Sequence, residues 1–399
     1  MKTNLLKAIA IAIVVSFSLT VNAQTTNTDE INAITTAVPF LMIAPDSRSG
    51  AMGDIGVATS PDANSQHWNA AKFPFIEHDY GFSVSYSPWL RSLVNDISLA
   101  YLSGYYKLNN KSAISGSLRY FSMGEIQFTD IVGNDIGTYK PNEFAIDAAY
   151  SRLLGDNFSG AVTLRYINSN LTSGQNVGGQ QTQVGQSVAA DVGVYYRKKM
   201  KMNDTKMLMA LGLNVSNIGN KISYSESLER DFIPTNFRIG GSLEIELDKF
   251  NSFTLALDIN KLLVPTPPVY ALDSAGNNIP DGDGFWEIEK GMDPRRSVGN
   301  AMFTSWYDAP NGFSEEIQEF YIGGGVEYAY DKKFFVRGGY FYENRNKGNR
   351  KYFTLGAGFA YNVFTLDFSY LIPTSQRNPM QNTLRFTLVF NFDAAADNN

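Results

Sequence analysis

From Tyr80 to Phe392 the chain alternates apolar and polar side chains with a period of two, segment after segment. Leu384, Phe386, Leu388, Phe390 and Phe392 share one side of the last segment; Thr383, Arg385, Thr387 and Asn391 share the other. Phe364, Leu366, Phe368 and Tyr370 oppose Thr365, Asp367 and Ser369, and Phe253, Leu255, Leu257 and Ile259 oppose Thr254, Asp258 and Asn260. Successive side chains of a strand point to opposite faces, so this pattern predicts strands with one apolar and one polar face. About fourteen are read, near residues 80–87, 96–108, 111–123, 142–154, 157–170, 186–199, 206–218, 235–248, 252–263, 318–330, 333–345, 351–361, 363–371 and 382–392. Most reach ten residues or more, the span of a tilted strand through hydrocarbon, whereas strands of globular proteins are nearer five or six.

The connections alternate in length. Asn109-Asn110, Gly155-Asp156, Lys199 to Asp204, Lys249-Phe250, Asp331-Lys332 and Asn362 are short; between them fall the long stretches 88–95, 124–141, 171–185, 219–234, 264–317, 346–350 and 373–381. Short periplasmic turns and long outer loops mark bacterial outer-membrane barrels, which close with an even number of strands. The expected fold is therefore all-β: a transmembrane antiparallel barrel of about 14 strands over residues 80–392, both termini periplasmic, with the long loops outside. Tyr86 with Trp89, Tyr105-Tyr106, Tyr195-Tyr196, and Tyr340 with Tyr342 are expected at the two membrane interfaces.

Ahead of the strands, residues 24–79 follow a different pattern. A Thr/Asn-rich lead and the apolar patch Val38 to Ile43 precede Asp46 to Phe73, which is small, polar and Gly/Ala-rich, with Gly50, Gly53 and Gly56 spaced three apart. It reads as neither strand nor regular helix, and is expected to fold inside the barrel, from the periplasmic entry, as a plug. The polar strand faces would then line the lumen with Arg119, Asp147, Arg165, Asp191, Arg238, Glu244, Glu246, Asp258, Glu327, Arg337, Asp367 and Arg385. Both signs are mixed, so the groups are expected to pair with each other or with plug backbone.

Composition agrees with the barrel: 22 Tyr, 27 Phe and 34 Gly among 399 residues, with 18% charged residues. A net charge of −6 gives no electrostatic case for nucleic acid. With no Cys there are no disulfides, no thiolate chemistry and no lipidated terminal Cys. Lys2 and Lys7, the apolar run Ala8 to Leu19, and Val21-Asn22-Ala23 read as a signal peptide over 1–23, cleaved after Ala23, and the chain ends in a polar tail, 393–399.

Candidate chemistry is sparse. His67 and His78 have no second His or Cys at metal spacing, and no nucleophile elbow, phosphate loop or H-E-x-x-H occurs. No enzyme activity and no cofactor are expected. Asp273, Asp281 and Asp283, with Asn277 between them, offer oxygen ligands in a Gly-rich loop and form a calcium candidate without the twelve-residue EF-hand order. The enclosing stretch 264–317 carries nine acidic and three basic residues, together with Phe285, Trp286, Met302, Phe303, Trp306 and Tyr307. Such aromatics either anchor a protein partner or fold back as a lid over the barrel mouth. Both remain open from the sequence.

Asp46 to Phe73 resembles the N-terminal hatch of the FadL superfamily of fourteen-stranded barrels. The matching residues are Arg48, Met52, Gly53, Ala58, Asp62, Ala63, Asn69 and Ala71, with Ala70 where that superfamily usually has Pro. Arg48, Gly50, Met52, Gly53, Asp62 and Asn69 are the plug residues so marked. APDSRSGAMGDIGVATSPDANSQHWNAAKFPF and the following YGFSVSYSPWLRSLVNDISLAYLSGYYKL resemble more narrowly the PorV (LptO) family, outer-membrane components of the type IX secretion system of Bacteroidota. The resemblance implies a non-enzymatic role. The protein would dock on an SprA/Sov-type translocon and bind the C-terminal signal domain of secreted cargo. It would then shuttle that cargo to the PorU-containing attachment complex, with 124–141, 171–185 and 264–317 as contact loops. The alternative is a FadL-like transporter of hydrophobic small molecules, which needs an apolar pocket near Phe40, Leu41, Met42 and Ile43 and a gap in the wall.

Overall fold

The structure, a computed structural model, describes residues 31–393 except 91–93, 95, 130–131, 173–175, 178–179, 226–229 and 376–377. The chain divides into two compact units, Met1–Ile31 and Asn32–Asn399, and the fold is that of the second. The expected signal peptide 1–23 and residues 394–399 of the expected tail lie outside the described residues.

Fourteen antiparallel strands close into a barrel. They are β1 (Tyr80–Pro88), β2 (Ile97–Asn109), β3 (Ser112–Met123), β4 (Asn142–Leu153), β5 (Phe158–Asn170), β6 (Gly185–Met202) and β7 (Thr205–Gly219). The circuit continues with β8 (Asn236–Glu246), β9 (Asn251–Leu262), β10 (Tyr321–Tyr330), β11 (Phe334–Tyr342), β12 (Lys351–Tyr361), β13 (Phe364–Pro373) and β14 (Leu384–Phe392). Each strand pairs with its sequence neighbours, and β1 closes on β14 from Tyr80↔Phe392 to Tyr86↔Phe386. Hydrocarbon offers no hydrogen bonds, so only such closure satisfies both edges of every strand. Stacked rings seal the seam: Tyr80 on Phe392 at 5.2 Å and Phe82 on Phe390 at 4.9 Å.

Outward positions are apolar and exposed, including Val84, Leu102, Ile146, Val162, Leu164, Leu211, Leu257, Val336 and Leu355. Aromatics mark both rims. Tyr106, Phe158, Tyr330, Phe334 and Tyr361 are exposed at the short-turn end, and Tyr86, Tyr120, Tyr166, Phe353 and Phe386 towards the long-loop end. Two expected girdle residues are elsewhere. Tyr105 and Tyr195 are buried inside the barrel, against Phe73 and Phe75. Neighbours in a strand face opposite ways, so of each Tyr-Tyr pair only one can meet lipid.

The chain inside the barrel runs opposite to expectation. Asn32 donates to Pro267 O at 3.1 Å and Glu315 Oε1 at 2.9 Å, and Ala37 N donates to Phe232 O at 2.9 Å, all partners in long loops. Val38, Phe40 and Leu41 pack with Leu99, Phe121, Ala145, Ile167 and Ala189, in the outer half of the wall. Phe73, Phe75 and Ile76 pack with Tyr105, Ala113, Ala149, Ala161 and Tyr195, near the short turns. The segment therefore enters at the long-loop mouth and descends to the short-turn end, where it feeds β1; the expected entry from the short-turn end is not what the described residues show. Sequence patterning could not show this, because an irregular segment carries no direction.

A topological test follows from this path. The chain has no Cys, so Thr35→Cys, at an exposed position, provides one defined thiol. A membrane-impermeant maleimide should label it on intact cells, whereas Lys332→Cys, in a short turn, should react only after the outer membrane is permeabilised. Labelling of Lys332→Cys alone on intact cells would reverse the orientation.

Candidate functional site

Two regions concentrate polar chemistry: the inner segment Val38–Ile76 and an outer cap formed mainly by residues 263–320. The inner segment has only single-turn helices, Ser47–Gly50 and Ser65–Trp68, and the 3-10 turns Pro39–Met42 and Ala70–Phe75. Its amides and carbonyls therefore need partners from the wall. Ser47 N donates to Thr387 Oγ1 at 2.8 Å, and Thr354 Oγ1 accepts from Gly53 N and donates to Ala51 O, both at 2.9 Å. Asp258 Oδ2 accepts from Gly56 N at 2.7 Å and Val57 N at 3.0 Å. Ser242 donates to Ala58 O at 2.7 Å, Ser103 to Ala63 O at 2.5 Å, and Arg119 to Leu41 O at 2.8 Å. Partners on β2, β3, β8, β9, β12 and β14 surround the segment.

Approach is closest where the wall carries glycine. A Cβ at Gly212 would fall on Val57 backbone and one at Gly339 on the Met52–Gly53 peptide. The marked residues take distinct places in this arrangement. Arg48 bridges Asp62 at 2.9 Å and Glu327 at 3.1 Å, and also donates to Ser60 O. Gly50 lies against the Arg385 side chain, and Met52 packs with Ile55 and Ala256. Gly53 takes φ +79°, a backbone angle that favours glycine. Asn69 donates to Val57 O at 3.2 Å and Val194 O at 2.9 Å while accepting from Ala71 N. Asp46, which accepts from Ser49 N and Trp68 Nε1, and Lys72, which donates to Gly56 O at 2.8 Å, were not singled out in the sequence. Their signal, a polar residue in a polar stretch, is indistinguishable from a solvated loop.

Most of the wall charges pair; among the described residues Glu244 makes no ion pair, and Arg119 bonds the Leu41 carbonyl instead of a carboxylate. Arg337 bridges Glu327 at 2.6 Å and Asp367 at 2.5 Å, so Arg48, Asp62, Glu327, Arg337 and Asp367 form one chain of ions. Arg165 sits between Asp147 at 2.6 Å and Asp191 at 2.9 Å. Arg238 donates to Asn260 Oδ1 at 2.6 Å and stacks on Trp68. Glu246 departs from the expected lumen set. It is exposed at the last position of β8, paired to Ser252 of β9 and 3.5 Å from Lys206, because the strand ends there at the mouth of the lumen.

The outer cap is pinned by buried ions. Lys261 donates to Glu316 at 2.7 Å and Glu319 at 2.5 Å, Lys347 to Glu315 at 2.6 Å and Glu319 at 3.0 Å, and Arg296 to Asp308 at 2.5 Å. Burial pushes the Asp308 and Glu316 carboxyls up, against the pull of Arg296 and Lys261 respectively. Oxygens of Asp308, Glu316 and Glu319 come within 4.8 Å of one another, a triad with metal-ligand spacing. The Lys261 ammonium, in contact with two of the three, already supplies the cation. Asp273, Asp281 and Asp283 form no such group among the described residues. Asp273 accepts from the amides of Ala275 and Asn277, and Asp281 from those of Asp283 and Phe285, so these carboxylates close their own turns.

The cap aromatics divide. Trp306 packs edge-on to Phe237 at 5.3 Å and near Phe320 at 6.2 Å, folded back on the rim. Phe285 lies under Arg295, and Trp286 is half exposed. Phe303 is 77% and Tyr307 61% exposed, four residues apart after the helix start at Val298. Phe313, 78% exposed, and Ile317 extend the apolar surface and were not singled out in the sequence.

With this geometry the family comparison is informative. A family described as type IX secretion system protein PorV matches residues 25–269. The chain belongs to the PorV family. That makes it an outer-membrane component of type IX secretion. The PorV match spans the inner segment and β1 to β9 and stops within the cap, so the aromatics beyond Val269 are read from this chain alone. No curated protein matches the chain. Similar solved structures include the Ralstonia pickettii toluene transporter TbuX, 11% identical over 88% of this chain and 100% of that one, with a TM-score of 0.45. The Pseudomonas putida toluene transporter TodX is 10% identical over 92% and 100%, with a TM-score of 0.46. A Pseudomonas aeruginosa FadL homologue is 9% identical over 90% and 99%, with a TM-score of 0.43.

The ion chain makes a stability prediction. Arg337→Ala leaves Glu327 sharing only Arg48 and Asp367 unpaired, and breaking a buried pair in this way costs about 3–5 kcal/mol. Arg337→Ala with Glu327→Gln and Asp367→Asn should recover most of that loss. Urea unfolding in micelles, followed by the heat-dependent gel shift of folded barrels, measures both. Equal stability of Arg337→Ala and wild type would show that the chain of ions is not coupled to folding.

Proposed function

We propose that the protein is a non-enzymatic docking component that joins the SprA/Sov-type translocon, takes the C-terminal signal domain of secreted cargo, and passes it to the PorU-containing attachment complex. The observation that carries this reading is the cap: Phe303, Tyr307 and Phe313 stand exposed on a loop whose base is fixed by buried Lys–Glu and Arg–Asp pairs. Large aromatic side chains on a pre-organised support lose little entropy on binding, which is how interface anchors work. In this reading the inner segment is a plug that stays seated, the barrel holds the cap at the surface, and loops 124–141 and 171–185 flank the contact.

A FadL-like transporter of hydrophobic small molecules needs an apolar pocket at Phe40–Ile43 and a gap in the wall. Phe40 and Leu41 are instead buried, with Phe40 stacked on Phe121 at 6.3 Å. A 780 Å³ groove and a 300 Å³ vestibule are lined by other residues. The wall is laddered all the way round; two irregularities, between Ala190 and Val192 in the β6–β7 pairing and between Lys107 and Asn109 in the β2–β3 pairing, open no gap in the strand order.

Gentle purification from the native membrane, with identification of whatever accompanies the protein, tests the docking reading. A large translocon subunit, or a secreted protein with its C-terminal domain, is the expected companion; bound fatty acid without a protein partner would sink the proposal. In the same assay Phe303→Ser with Phe313→Ser should reduce partner recovery strongly. Losing one hot-spot aromatic costs about 2 kcal/mol, about thirtyfold in affinity. Unchanged recovery would remove these two side chains from the interface.

A further inference from the structure

The 780 Å³ groove lies on the outside of the barrel. Its floor is the outer end of β5 and β6, Tyr166, Gln186 and Val188; Tyr166 and Val188 belong to the exposed apolar wall that faces lipid. Its roof is protein: Asn220 and the two loop cations Lys221 and Arg230 on one side, and Arg295 to Val298 of the cap on the other. The cap thus reaches sideways from β9 and β10 to overhang lipid-facing strands.

Cations predominate in this groove. Four line it, Lys221, Arg230, Arg295 and Arg296, and no carboxylate does among the described residues, although Asp231 and Asp293 lie near enough to act on Lys221. The two arginines of the cap have partners set back from the groove: Arg295 is held by Asp293 at 2.9 Å and Arg296 by Asp308 at 2.5 Å. Arg296 Nε is buried without an acceptor. Among the described residues Arg230 makes no ion pair, and Lys221 contacts the Arg295 carbonyl at 3.4 Å and the Phe232 ring, with the Asp293 and Asp231 carboxylates acting on it from further off. Cations whose guanidinium and ammonium groups converge at the edge of an apolar wall match a phosphate bonded to acyl chains, because one ligand satisfies both surfaces.

We propose that this groove binds the anionic, phosphorylated headgroup of an outer-leaflet lipid, with Lys221 and Arg230 supplying the loop charges, Arg295 and Arg296 the rigid rim, and Tyr166 and Val188 the contact with the acyl region. A protein carboxylate would not need the lipid-facing floor, and a free phosphate would leave it unused. The assignment does not rest on the docking reading: the aromatic anchors of the cap are not among the groove's lining residues.

The test uses the full chain in phosphatidylcholine nanodiscs, with and without about a tenth of lipid A, whose phosphates leave it anionic whereas the choline of phosphatidylcholine cancels its phosphate. Native mass spectrometry counts the lipid retained, and displacement of fluorescent lipid A gives its affinity. The wild type should retain lipid A and not phosphatidylcholine. Lys221→Glu with Arg230→Glu should bind it at least about tenfold more weakly, since each lost charge-assisted bond is replaced by repulsion, and Lys221→Arg with Arg230→Lys should retain it. Because both positions are in a loop, the heat-dependent gel shift should be unchanged in all variants. Equal retention by the charge-reversed variant, or equal retention of phosphatidylcholine, overturns the proposal. Displacement of lipid A by millimolar inorganic phosphate makes this a free-anion site and also overturns it.

Discussion

A chain enclosed by a barrel must find hydrogen bonds for its backbone mainly from side chains, because the ladder takes up the strand amides of the wall except at irregularities such as the one where Asn217 N turns to Asp191 Oδ1. The inner segment has four short turns and no ladder, so its amides reach for Thr387, Thr354 and Asp258, and its carbonyls for Ser242, Ser103 and Arg119. An orphaned group there costs about 1–3 kcal/mol, so the polar inward face is a structural requirement before it is anything else. Glycines at 212 and 339 let the two backbones approach closely enough for those bonds to form.

The same requirement accounts for the charges. Buried ions are costly, and a pair of them is weak evidence of net stability. Their use here is to fix one arrangement: Arg48 on the inner segment shares Glu327 with Arg337 on the wall, and Arg337 shares Asp367 in turn. Sliding the segment by a residue would leave several of these groups unpaired at once. The cap repeats the device outside the membrane, where Lys261 and Lys347 clasp Glu315, Glu316 and Glu319. A loop of this length would otherwise be mobile. Pinned, it can hold aromatics in water on its upper side and cations over the lipid-facing wall on another.

The barrel was legible in the chain because its physics is local and periodic. Hydrocarbon thickness sets strand length, the two faces set the alternation, and assembly sets the contrast of short turns and long loops. Strand positions read from those three rules agree with β1 to β14 to within a few residues. Inward charges at Arg165, Arg337, Asp258 and Asp367 followed from the same alternation. Where two aromatics are adjacent, as at Tyr105-Tyr106, the same alternation lets only one of them meet lipid.

The sequence by itself determined the element type, the strand count, the lipid-facing side and, through Asp46 to Phe73, the kinship with PorV. Each is written in short-range order that survives without coordinates. Only the tertiary structure decided the direction of the inner segment, the partners of its ions, and the division of the cap aromatics into packed Trp306 and exposed Phe303, Tyr307 and Phe313. It alone brought Lys221, Arg230, Arg295 and Arg296 to one groove. These depend on which distant residues meet, and an irregular segment or a long loop carries no period from which such meetings can be read.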